Sequence, residues 1–173
     1  MRIRKIYFDM DGVLADFDKG VSDLAGMQPL SQNSKRPSGY DDALWSAVRK
    51  VDHFYLKLDP IPGALEMFQI IYGKYGDKCE ILTGIPKEQR GIITSAEDKV
   101  EWVKKHLSDG IVTNTVYRED KKNFCGGREY ILIDDFEKNI REWKEQGGTG
   151  ILFTNAQETL NTFEEIEEMI FAN

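Results

Sequence analysis

Cysteine is scarce: Cys79 and Cys125 are the only two in 173 residues. Their number and spacing give neither a disulfide framework nor a zinc-ligand pattern, so a reducing compartment, the cytoplasm, is expected. Long apolar runs are missing as well. No window approaches the roughly 20 residues of a membrane span. The basic start MRIRKIYFDMDG reaches Asp9 before its apolar stretch could serve as a signal-peptide core. Positive charge is in deficit, with 23 Lys plus Arg against 30 Asp plus Glu and a net charge of −7. No basic field is available to hold a polyanion, which argues against a stable nucleic-acid complex. No internal repeat or low-complexity segment occurs. Gly126-Gly127 and Gly147-Gly148 read as turns, because no G-x-x-x-x-G-K-[ST] pattern accompanies them.

What remains is material for one core: 40% of the residues are apolar and 11% aromatic, and the length suits a single domain with a small insertion. Short apolar runs at Ile6–Phe8, Cys79–Leu82, Ile111–Tyr117, Tyr130–Ile133 and Ile151–Phe153 read as strands covered on both faces. Helical patterns lie between them. Pro62-Gly63 opens Ala64–Lys74; a Ser95/Asp98 capping box opens a second helix with Val100, Trp102, Val103 and Leu107; a third spans Glu137–Gln146, and the last Glu158–Phe171. The acidic run EEIEE is the wet face of that last helix. This alternation predicts an α/β fold, a doubly wound parallel sheet. Residues 13–59 break the rhythm with no strand signal. Two helices, Val13–Gly26 and Asp41–Val51, make them a small helical cap inserted after the first strand, leaving 1–12 and 60–173 as the core.

The chemistry is written at two strand ends. IYFDMDGVLADF delivers Asp9 and Asp11, followed by Gly12, and YILIDDF delivers Asp134 and Asp135. Carboxyl ends of parallel strands form the ligand crevice, so neighbouring strands would crowd these acids together. Their repulsion then requires protons or a cation, and oxygen-only ligands suit Mg²⁺. A helix N-cap is the plainer explanation for Asp134-Asp135 alone. An EF-hand loop is excluded, since Val13 and Leu14 stand where a ligand and a glycine belong. His53 and His106 have no metal-ligand or triad setting and read as surface or interface histidines.

DMDGVLADF, Thr83 in EILTG and ILIDD resemble motifs I, II and IV of the haloacid dehalogenase-like hydrolases, a superfamily made up largely of phosphatases. Within it the chain is most similar to the 5'(3')-deoxyribonucleotidases, through DMDGVLADF, FYLKLDPIPGALEMF, DKVEWVKKHL, ILIDD and ILFTN in the same order; residues 19–50 do not align. The resemblance implies a Mg²⁺-dependent phosphomonoesterase acting through an aspartyl-phosphate. Asp9 would be the nucleophile and Asp11 the acid and base. The metal would be held by Asp9, the Asp11 backbone carbonyl and the Asp134-Asp135 pair, with Asp135 favoured as direct ligand. Thr83 and the Gly84 N–H would hold phosphate. Lys121 is favoured over Lys99 as the phosphate lysine, and Arg118 adds charge. In the cap, Phe17 matches a base-stacking aromatic, and Trp45, Phe54 and Tyr55 could extend the slot. Thr-Gly-Ile-Pro replaces the family's usual Thr-Ser-Pro. The implied substrate is a small phosphate monoester, a nucleotide, and the family suggests a homodimer. Two rivals stand beside this reading. One is a phosphatase for another small metabolite or a nucleic-acid phosphate end; the other is a non-catalytic metal-binding regulatory protein.

Overall fold

Apolar side chains alternate along the central strands and send one row to each side. A computed structural model describes residues 2–171; the expected core ends, Met1 and residues 172–173, lie outside the described residues. Five parallel strands, β1 (Lys5–Phe8), β2 (Cys79–Gly84), β3 (Thr113–Val116), β4 (Tyr130–Asp134) and β5 (Thr149–Leu152), lie in the order β3-β2-β1-β4-β5. In β1, Ile6 and Phe8 enter the larger core together with Ile81, Ile131 and Ile133. Tyr7 points the other way, to Leu82, Leu132, Ile140 and Trp143. Side chains of period two on a doubly covered strand require this division. The larger core is closed by α3 (Ala64–Tyr75), α4 (Ser95–His106) and α6 (Ala156–Phe171), and the smaller by α5 (Glu137–Glu145).

The connection leaving β1 leads to β2 on one side, and the one leaving β4 leads to β5 on the other. A crevice opens where neighbouring connections diverge, here beyond the ends of β1 and β4. The ladder continues one residue past β1, because the Asp9 N–H donates to the Ile133 carbonyl at 2.9 Å. Asp9 is therefore fixed to β4 as firmly as the strand itself.

Between β1 and α3 lie α1 (Phe17–Asp23), α2 (Tyr40–Arg49) and a 3₁₀ turn at Phe54–Lys57. The first helix is shorter than the Val13–Gly26 expected. Val13, Leu14 and Ala15 are fully buried, and their N–H groups fold back onto the Met10 carbonyl. A helix can begin only after Asp16, whose carboxylate caps it by accepting the Lys19 N–H at 3.1 Å. The two ends of the insertion meet there, since Asp16 N–H donates to Asp59 O at 2.7 Å and Ile61 N–H to Leu14 O at 2.8 Å.

The expected Ser95/Asp98 capping box does not form. Thr94 is the cap residue and Ser95 is already helical. The Asp98 carboxylate turns outward from the helix backbone to the Thr94 hydroxyl at 2.8 Å and to His53. The helix α6 starts two residues before the expected Glu158, where Asn155 Oδ1 accepts the Glu158 N–H. Residues Arg118–Phe124, between β3 and β4, form a 3₁₀ segment that short-range patterning did not indicate.

Candidate active site

The turn after β1 aims two acids in different directions. Asp9 stands at the strand end, and its Oδ1 accepts the Met10 N–H at 2.9 Å. Asp11 follows in a tight turn that Gly12 permits by adopting φ +81°. Glycine is needed there for space as well: a Cβ would lie 2.1 Å from Asp135 Oδ2. The close approach of Asp135 to the β1 turn thus depends on the missing side chain.

Asp9, Asp134 and Asp135 each bring a carboxylate oxygen to within 4.8 Å of the others. Lys121 reaches into this group from the 3₁₀ segment and donates to Asp9 Oδ1 and Asp134 Oδ2, both at 2.9 Å. Burial alone would lower the lysine's pKa; the charges and hydrogen bonds of Asp134 and Asp9 outweigh it and hold the ammonium protonated. Asp134 is saturated. Its Oδ1 accepts the Phe136 N–H at 2.9 Å, and its Oδ2 also accepts from Asn139 at 3.0 Å. Burial, followed by the Asp9 charge, raises its pKa. The Asp135 carboxyl is pushed well above the usual carboxylate range by burial and by the Asp9 and Asp134 charges.

One lysine cannot balance three clustered carboxylates. Among the described residues three buried side-chain oxygens lack a partner, and two of them, Asp11 Oδ1 and Asp135 Oδ1, are here. Unpaired buried carboxyl oxygens beside an all-oxygen cluster, one of them on a group that must otherwise keep its proton, fit a hard divalent cation such as Mg²⁺.

The second lysine has a separate task. Lys99, fully buried, donates to Asp11 Oδ2 at 2.6 Å, Thr83 Oγ1 at 3.0 Å and Gly84 O at 2.5 Å, with its ammonium over the Tyr55 ring. Because Lys99 occupies a lone pair of the Thr83 hydroxyl, the hydroxyl proton is left to point elsewhere. Gly84 enters this network through its carbonyl, a separate group from the N–H expected to face phosphate.

These groups floor a cleft of about 450 Å³, within the ordinary range for a small-molecule site. Asp9, Asp11, Gly84, Lys121 and Asp135 line it, whereas Thr83, Lys99 and Asp134 stand behind them. Its roof includes Phe17, Leu44, Trp45 and Tyr55, with Asp18, Gln32 and Arg36 as polar groups. Phe17 stacks on Tyr55 at 6.3 Å and meets Trp45 at 6.2 Å and Phe54 at 5.6 Å. Phe54 is buried behind the cleft surface. Arg118 also lines the cleft, held by Asn139 at 3.0 Å and Glu142 at 3.0 Å. Asn139 was missed in the sequence, although a polar residue beside Ile140 and Trp143 on the inner face of α5 was a usable signal.

Solved structures agree on the fold. A haloacid dehalogenase-like family hydrolase of Streptococcus pneumoniae superposes with a TM-score of 0.54 at 13% identity, covering 88% of this chain and 85% of that one. A HAD-superfamily hydrolase of Ehrlichia chaffeensis gives 0.50 at 15% identity, covering 95% and 98%. By sequence, the human cytosolic-type 5'(3')-deoxyribonucleotidase is 29% identical over 177 residues, covering 87% of this chain and 79% of its own. Since the family model "5' nucleotidase, deoxy (Pyrimidine), cytosolic type C protein" matches residues 2–171, the chain belongs to that family of phosphoric monoester hydrolases, on the HAD-like fold.

Proposed function

We propose that the chain hydrolyses nucleoside monophosphates, deoxyribonucleotides foremost, through an aspartyl-phosphate on Asp9, and that residues 13–59 act as the cap that selects them. The observation that carries this is the meeting of Asp9, Asp11, Lys121 and Asp135 on one cleft floor at the divergence of the sheet connections. Asp9 attacks phosphorus, forming its Oδ–P bond as the bond to the ester oxygen breaks. Asp11, oriented by Lys99, gives that oxygen a proton and later takes one from the water that cleaves the acyl-phosphate. Lys121 stabilises charge on the transferring group and Arg118 adds a fixed cation at the rim, while Thr83, behind the cleft surface, holds Lys99 in place. Asp135 and Asp9, with the Asp11 carbonyl, would hold Mg²⁺, while Asp134 orients Lys121 and the following turn. Once bound, the ion neutralises the phosphoryl oxygens and lets an anionic ester approach an acidic floor.

The roof supports a nucleoside as the leaving group, because Phe17 and Trp45, with Tyr55 packed against Phe17, present aromatic surface above a phosphate-sized charged floor. A cytosolic-type relative and two free cysteines support a cytoplasmic setting. No helix among the described residues is long and apolar enough to cross a membrane.

Phosphate release across deoxyribonucleotides, ribonucleotides and sugar phosphates tests the substrate, and Asp9→Asn tests the chemistry. The variant is expected to fold and to lose at least about 10³-fold in kcat, as removal of a covalent nucleophile does. Unchanged release by that variant removes Asp9 as nucleophile. Equal or faster turnover of sugar phosphates rejects the nucleotide assignment.

A further inference from the structure

Residues 24–39, between α1 and α2, contain no regular helix or strand and are organised by polar contacts of their own. The Tyr40 hydroxyl accepts the Leu30 N–H at 2.9 Å and donates to Gln28 O at 2.8 Å. Arg36 donates to Leu30 O at 2.8 Å and to Asp41 at 2.9 Å. Ser34 Oγ donates to Ser31 O at 2.6 Å. The loop is therefore shaped before it meets anything else.

At its tip, Asn33 leaves the loop and pairs with backbone more than a hundred residues away. Its Nδ2 donates to the Asp135 carbonyl and its Oδ1 accepts the Glu137 N–H, both at 2.9 Å. A carboxamide carries the donor and acceptor of a peptide group, so this is a strand-like pairing made by one exposed side chain. The segment it grips is the turn that carries Asp135, whose Oδ1 is buried without a partner. Asp134 holds that turn from within through the Phe136 N–H. Asn33 holds the two flanking backbone groups from the opposite side. Ser31 and Gln32, its neighbours, line the cleft.

We propose that Asn33 is a positioning residue, which fixes the Asp135 turn in its cation-binding geometry and, by the same contact, closes the 28–36 loop over the phosphate site. The proposal rests on the metal-dependent reading above. It makes seating of the loop and capture of the ion one event: an open loop leaves the Asp135 turn held from one side, and a seated loop holds it from both. Nothing in the local sequence SQNSK marks this asparagine, because its partners lie on the far side of the chain fold.

The test measures Mn²⁺ binding by electron paramagnetic resonance without nucleotide, then kcat and KM at limiting and saturating Mg²⁺, for wild type, Asn33→Ala and Lys35→Ala. Removing a group that orients a metal ligand weakens metal affinity by about 10- to 100-fold. Asn33→Ala is expected to raise the Mn²⁺ dissociation constant by at least about tenfold on that basis. Its kcat should fall at limiting Mg²⁺ and recover substantially at saturation, with the thermal midpoint unchanged because residue 33 is exposed. Lys35→Ala, a solvent-facing change in the same loop, should match wild type throughout. Wild-type Mn²⁺ affinity in Asn33→Ala overturns the proposal, as does a change confined to KM. If wild type itself binds no Mn²⁺, the metal-dependent reading falls, and the proposal with it; that failure shows in the wild-type titration alone.

Discussion

At the floor of the cleft, Asp9, Lys121 and Asp134 are buried and tied to one another by hydrogen bonds of 2.9 Å. The roof shares the apolar core through Leu44, Phe54 and Leu58, whose carbonyl accepts from Trp102 at 2.8 Å, while its outer polar ties are scattered: Asn33 on the Asp135 turn, Arg90 on Asp42 at 2.6 Å, and His53 on Asp98 at 2.8 Å. The Arg90–Asp42 pair is largely exposed, with 82% of the aspartate side chain in solvent, and such pairs contribute about 0–1 kcal/mol. The difference separates two demands on one pocket. Charge development at phosphorus needs donors that do not move, whereas exchange of substrate for product needs a roof whose attachments can be broken and remade.

The largest expected effect comes from breaking the floor. Lys121→Met keeps most of the side chain's length but leaves Asp9 and Asp134 without their shared cation. Uncompensated buried charge costs about 3–5 kcal/mol of stability, and loss of one fixed donor to a transition state costs roughly 10²- to 10³-fold in kcat. Urea unfolding and phosphate release, each with and without Mg²⁺, separate the two losses. Added Mg²⁺ should restore part of the stability, since it too is a cation among carboxylates, and little of the turnover. Recovery of both would mean that Lys121 serves only as counter-ion.

Floor and roof were also unequally legible. Asp9 and Asp134-Asp135 could be placed from sequence because short apolar strands deliver them in register, and a parallel sheet sends all strand ends to one edge. Lys121 followed from chain order in the same way. The sharing of work between Lys121 and Lys99 did not, since it depends on which ammonium faces the cleft, and α4 brings Lys99 behind Asp11 from a part of the chain unrelated to β1. The roof obeyed no local rule. Val13–Ala15 look helical but are consumed by the turn that aims Asp11, and Asn33 has meaning only through Asp135 and Glu137. Phe17 and Trp45 were found by resemblance and aromatic character, and the structure seats both in the cleft. Trp45→Ala should therefore act on the leaving group alone. Loss of one stacking ring, about 1 kcal/mol, corresponds to a five- to tenfold higher KM for nucleotides, whereas KM for a small acyl or alkyl phosphate should stay near wild type. Equal losses for both substrates would show the tryptophan supporting the floor as well.

The smallest expected effect sharpens the comparison at the third tie. His53, the only non-glycine among the described residues with left-handed backbone, φ 50°, presents Nδ1 to Asp98 Oδ1. The hydrogen bond to Asp98, then the charges of Asp98 and Asp52, raise its pKa against small opposing contributions from burial and Lys57. A histidine whose folded value exceeds its unfolded value of about 6.5 stabilises the fold fully below that pH and loses the contribution as pH rises through the folded value. His53→Gln keeps the strained backbone and removes the titration, so strain cancels in the difference. The gap in thermal midpoint between wild type and His53→Gln should be widest in mildly acidic buffer, close as pH rises past the folded value, and shrink with added salt because the ring is half exposed. A gap that stays constant with pH would assign the tie to a neutral imidazole hydrogen bond. The roof would then be held to α4 by geometry rather than by charge, as Asn33 holds it to the Asp135 turn.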